Sequence, residues 1–120
     1  MKRPDKAAIL SKATGKIISD RLYLQSRLRC TDVAKAIGTN RTYLWSSLRS
    51  KGYGFQGYLS MFRIIHFVKN ASGYRDHPSR EIAELCGFND PKQLNHYLNK
   101  NFGVTLPEYM NWVEQGLYDH

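Results

Sequence analysis

Two stretches of this chain carry side chains whose types suit contact with a polyanion. Between Asn40 and Ser50 these are Arg41, Thr42, Trp45, Ser46 and Arg49; between Asp90 and Lys100 they are Lys92, Asn95, His96 and Asn99. In each stretch a leucine pair one turn apart, Leu44 with Leu48 and Leu94 with Leu98, marks the inward face, which leaves the nine residues pointing outward. Arginine and lysine neutralise phosphate, asparagine can bond two groups on the edge of adenine, and an indole can lie on a thymine methyl. Plainer readings stand beside these. The cations can be solvated surface charge, Trp45 can pack on a neighbouring helix, and asparagine is a common surface residue.

No catalytic or metal-binding set competes with that chemistry. His66, His77, His96 and His120 lack metal-ligand spacing, and no Ser/His/Asp or Cys/His grouping is close in sequence. The run Gly52-Tyr53-Gly54-Phe55-Gln56-Gly57 matches a dinucleotide-binding pattern, but it follows no strand. Its glycines read instead as a turn between helices. Two cysteines, Cys30 and Cys86, are too few for a disulfide framework or a zinc site, and read as small buried hydrophobes in a reducing compartment. The expectation is a protein that is not an enzyme and uses neither cofactor nor metal.

The charge balance agrees. The 120 residues hold 18 Lys and Arg against 10 Asp and Glu, a net charge of +8, with a pI near 9.7. Residues 1–60 carry 12 basic and 3 acidic side chains, hence +9, and residues 61–120 carry 6 and 7, hence −1. A basic protein of this size points to nucleic acid. With 42% hydrophobic and 23% charged residues, wholesale disorder is excluded. The longest apolar candidate for a membrane span, Tyr58 to Val68, is interrupted by Arg63 and His66, and Ala7-Ala8-Ile9-Leu10 is too short for a signal peptide.

These side chains must be positioned by helices, because apolar spacing is helical nearly throughout. A first helix is expected from about Gly15 to Gln25, with residues 1–15 as an N-terminal extension. A short second helix with Leu28, Val33, Ala34 and Ile37 stops at Gly38. A third is capped by Asn40, and a linker helix of about 16 residues over 55–71 carries Phe55, Tyr58, Leu59, Phe62 and Ile65 inward, with Phe67 also buried. After a loop over 72–78 comes a short helix ending at Gly87. Asp90 and Pro91 then open a further helix, and the Thr105-x-x-Glu108 capping box opens a last one over 105–115. The fold class is all-α, with about seven helices.

The second half repeats the first. Ala34, Gly38, Leu44 and Leu48 recur as Ala83, Gly87, Leu94 and Leu98, offset by 49 and then 50 residues. Each unit reads as a short helix, a glycine turn and a second helix with polar residues outward, the form of a helix-turn-helix. Small alanines allow close helix approach, and glycine accepts the positive φ that ends the first helix. One such match is weak; two at a fixed offset in a basic chain are stronger.

The chain resembles the DNA-binding domain of AraC/XylS-family bacterial transcription regulators. The residues that carry the resemblance are Val33-Ala34-Lys35-Ala36-Ile37-Gly38, Tyr43-Leu44, and Gly54-Phe55-Gln56-Gly57-Tyr58-Leu59 with Arg63. In the second half they are Glu81-Ile82-Ala83-Glu84-Leu85-Cys86-Gly87-Phe88, Phe102-Gly103-Val104-Thr105 and Glu108-Tyr109. The resemblance covers residues 16–115. It implies two homeodomain-like helix-turn-helix subdomains, proximal over 30–50 and distal over 79–100, joined by the linker helix. It also implies sequence-specific binding to double-stranded DNA through recognition helices in successive major grooves, ~34 Å apart. Arg41, Thr42, Trp45, Ser46 and Arg49 match the family's base- and phosphate-contacting positions. Further implications are RNA polymerase as a partner, a separate sensing domain in a longer protein, and a cytoplasmic location without membrane insertion of this segment. Departures are His96 and Asn99 where Arg and Lys are usual, Leu94 in place of an aromatic, Phe67 in place of a small residue, and Thr105-Leu106-Pro107 in place of Thr-Pro. Two rivals share the charge or the fold: an architectural nucleic-acid binder without sequence preference, and a protein-interaction module.

Overall fold

The computed structural model describes residues 5–116. Among them are seven α-helices and no strand: α1 (Lys6–Ser19), α2 (Cys30–Ala36), α3 (Arg41–Ser50), α4 (Phe55–Asn70), α5 (Ser79–Leu85), α6 (Pro91–Phe102) and α7 (Leu106–Glu114). Two 3-10 turns, Leu22–Leu24 and Ala71–Tyr74, complete the regular structure. The chain divides into two compact units, Met1–Met61 and Phe62–His120, so the net +9 belongs to the first and the net −1 to the second. The fold is all-α, as the apolar spacing indicates.

In the first unit the N-terminal helix corrects the expectation. It starts at Lys6 and ends at Ser19, where the sequence suggested Gly15 to Gln25. The Asp5 carboxylate caps it by accepting the Ala7 N–H at 2.9 Å, and Ile9, Ala13 and Ile17 form a buried stripe at a spacing of four. Residues 6–15 are therefore helix rather than a loose extension, while residues 1–4 lie outside the described residues. The helix cannot continue to Gln25 because Arg21 takes a left-handed φ of 53°. Leu28, Val33, Ala34, Leu44, Leu48, Tyr58 and Leu59 are buried in the same unit, all at most 4% exposed. Thr14 and Tyr58 join α1 to the start of α4 through a hydroxyl–hydroxyl hydrogen bond.

The second unit is built on Phe67, Ile82, Ala83, Phe88, Leu94, Leu98, Leu106 and Tyr109, with the Phe67 and Tyr109 rings 5.0 Å apart. Along α4, Tyr58, Leu59 and Phe67 are buried as expected, whereas Phe55, Phe62 and Ile65 are not. Arg63, Ile64 and Phe67 are buried, Phe55 and Phe62 are half-buried, and Ile65 is 51% exposed. The inward face therefore follows Leu59, Arg63 and Phe67 at four-residue spacing instead of Phe55, Phe62 and Ile65. A buried cation stands on that face: the Arg63 guanidinium lies 5.8 Å from the centre of the Phe88 ring.

Candidate nucleic-acid interface

Each unit contains one helix–turn–helix pair, and the two turns match bond for bond. After α2, Gly38 takes φ 76°; its N–H donates to the Lys35 carbonyl at 3.2 Å, and the Thr39 N–H donates to the Ala34 carbonyl at 2.9 Å. After α5, Gly87 takes φ 89°; its N–H donates to Glu84 at 3.1 Å, and the Phe88 N–H donates to Ala83 at 2.9 Å. Both are Schellman closures, which satisfy the last carbonyls of a helix while the chain reverses. The positive φ is why glycine stands at both positions. Ala34 and Ala83 are at most 1% exposed, and a larger side chain has no room there.

The helices that follow are then set by caps. Asn40 Oδ1 accepts the Tyr43 N–H at 3.0 Å to start α3, and Asp90 Oδ1 accepts the Gln93 N–H at 2.8 Å to start α6. In α3, Leu44, Ser47 and Leu48 are buried and Ser46 is half-buried. Arg41, Thr42, Trp45 and Arg49 lie on the exposed surface, as expected. Trp45 is 47% exposed and does not pack as core, and the Arg49 guanidinium lies over its ring at 5.5 Å from the centroid. No acidic residue occurs in α3, and neither Arg41 nor Arg49 belongs to an ion pair among the described residues.

In α6 the structure divides the four expected residues. Lys92, His96 and Asn99 are exposed, with His96 edge-on to Tyr97 at 5.0 Å. Asn95 is half-buried, and its Oδ1 accepts the backbone N–H of Leu106 at 2.6 Å. A helical wheel assigns Asn95 to the open face; the first turn of α7 draws it sideways. The bond was hidden from sequence reasoning because it joins residues 11 apart across a turn. Gln93 is a second polar residue that sequence reasoning passed over: its Oε1 accepts the Asn89 N–H at 3.0 Å and reinforces the Asp90 cap.

Burial pushes the Cys86 thiol up to about 12 and raises that of Cys30 as well, so neither is a thiolate near neutral pH. Among the described residues no group of three or more His, Cys, Asp or Glu is arranged to hold a metal ion, and no helix is long and apolar enough to cross a membrane. No family model, curated protein or solved structure matches this chain.

Proposed function

We propose that the chain is a sequence-specific DNA-binding transcription regulator of AraC type, in which α3 and α6 each enter a major groove. The carrying observation is the pair of matched glycine turns, Gly38 and Gly87, each followed by a capped helix with polar or cationic side chains outward. A major groove of ~12 Å admits one α-helix, and residues early in that helix meet base edges. Arg41, Thr42, Trp45 and Ser46 occupy that stretch of α3; Lys92 and His96 occupy it in α6, with Asn99 one turn further on. Arg41 and Arg49 neutralise phosphate. Because the two helices differ in sequence, the site within one monomer is asymmetric. Such a protein works in the bacterial cytoplasm, with RNA polymerase as its partner in transcription.

Selection of bound duplexes from a random pool at physiological salt tests this reading. The expected outcome is an enriched asymmetric motif with two separately conserved parts. Binding without enrichment would assign the architectural role instead. No binding even at low salt would leave the protein-interaction role.

A further inference from the structure

We propose that Trp45 is a positioning residue for Arg49, holding its guanidinium against the indole face so that α3 presents one preformed clamp to a DNA phosphate. The proposal rests on the reading that α3 faces DNA. Trp45 and Arg49 lie four residues apart, one helical turn, and side chains in a helix lean toward its N-terminus. Arg49 therefore leans over residue 45, where its guanidinium carbon sits 5.5 Å from the indole centre.

The stack costs a large apolar ring nearly half its surface in water: Trp45 is 47% exposed while neighbouring Leu44 and Leu48 are 1% exposed. An exposed indole gains little from burial, but its π-face attracts a cation and limits the rotamers that cation explores. A guanidinium held by its face keeps its N–H edges for a second partner. That planar fork matches the paired oxygens of a phosphate. No carboxylate competes, since α3 contains none and Arg49 belongs to no ion pair among the described residues.

Phosphate is favoured over a base edge by position. Arg49 is in the last turn of α3, whereas the first residues of a recognition helix reach the bases. The distal unit has no counterpart. At the offset of 50 that relates Leu44 to Leu94, Trp45 and Arg49 correspond to Asn95 and Asn99, and Asn95 is bonded to Leu106. The clamp is therefore a property of the basic unit alone.

The test uses the full chain and a duplex pool of random sequence, because a phosphate contact is independent of sequence. Arg49→Ala should weaken binding about 5-fold and lower the slope of log K against log salt by about 0.9. Trp45→Ala should weaken binding about 3-fold with the melting temperature nearly unchanged, and Trp45→Phe should fall between it and wild type. In the Arg49→Ala background, Trp45→Ala should weaken binding much less than it does in the wild type. Losses that simply multiply would overturn the proposal. In the free protein, the Arg49 Hε resonance should carry an indole ring-current shift that Trp45→Ala abolishes; an unchanged resonance refutes the stack before DNA is added. A wild-type chain with the shift but no affinity for the pool at low salt would sink the DNA reading itself, and the clamp with it.

Discussion

The side-chain oxygen of Asn95 lies 2.6 Å from the backbone N–H of Leu106, tying the middle of α6 to the first residue of α7. It completes the hydrogen bonding of the first turn of α7. The Thr105 N–H donates to Glu108 Oε1 at 3.1 Å, the Glu108 N–H donates to Thr105 Oγ1 at 3.3 Å, and Pro107 has no N–H. Only Leu106, 2% exposed, would otherwise lack a nearby partner in that turn. Asn95→Ala should therefore cost about 1–3 kcal/mol of stability, while Asn95→Asp, which keeps an acceptor, should recover much of it. Urea unfolding followed by circular dichroism measures both. A change in DNA preference with no shift in midpoint would show that Asn95 reads DNA and does not brace α7.

Much of this architecture was legible because it depends on local rules. The Asn40, Asp90 and Thr105 caps, the proline at the start of α6 and the glycine turns each depend on a few neighbouring residues, and all stand where the sequence indicates. What escaped involves distant partners. Ala13 completes the α1 stripe yet is too small to register as an apolar landmark. Arg63 is 1% exposed with its guanidinium 5.8 Å from the centre of the Phe88 ring, 25 positions on; a hydrophobicity pattern scores it as surface. The bond between Asn95 and Leu106 escaped for the same kind of reason. A helical wheel gives the direction of a side chain, not what the next helix asks of it.

Opposite outcomes are expected from one substitution at two glycines. Gly38→Ala forces a side chain into φ 76° with open space around it, so the cost is backbone strain alone, about 1–2 kcal/mol. Gly15 lies within α1, also with open space beside it, and Gly15→Ala should stabilise by about 0.5–1 kcal/mol. Thermal melts of the two variants check the sign. A harmless Gly38→Ala would remove the conformational reason for glycine at the turn.

Neighbouring phenylalanines in α4 should differ in the same manner. Phe67 is 0% exposed and touches Tyr109, so Phe67→Ala should cost about 3–5 kcal/mol. Phe62 is half-buried, and Phe62→Ala should cost about half as much. Equal losses in chemical denaturation would restore the originally expected inward face.

Cys86 links stability to alkaline pH. Its thiol is raised by burial from 9.0 to about 12, so between those values the folded chain holds a proton that the unfolded chain has lost. The contribution is fully present below pH 9.0 and is lost as pH climbs toward about 12. Stability of the wild type should fall faster over that window than stability of Cys86→Ala, measured against each protein's own value at pH 8. Parallel curves would show that the thiol carries no linkage. A thiol reagent should likewise label Cys86 only when the second unit opens.

The charge split carries the last expectation, on the proposed DNA-binding role. Residues 1–60 hold a net +9 and residues 61–120 a net −1, and phosphate contacts lower log K with log salt by about 0.9 each. Arg27, Arg29, Lys35, Arg41, Arg49 and Lys51 are all exposed in the first unit, whereas α6 offers Lys92 and Lys100. Replacing Arg41 and Arg49 together should reduce the salt slope by roughly 1–2 for any duplex, specific or random. Replacing Asn99 should instead relax preference in one part of the selected site, by about 1–3 kcal/mol per base pair it reads, and leave the slope almost unchanged. Asn95 no longer belongs in that second experiment, since its loss would unsettle α7 as well. Salt titrations of the two variants against one selected and one random duplex give four slopes. If the Asn99 change lowers the slope as much as the double arginine change, charge does not divide the labour between α3 and α6.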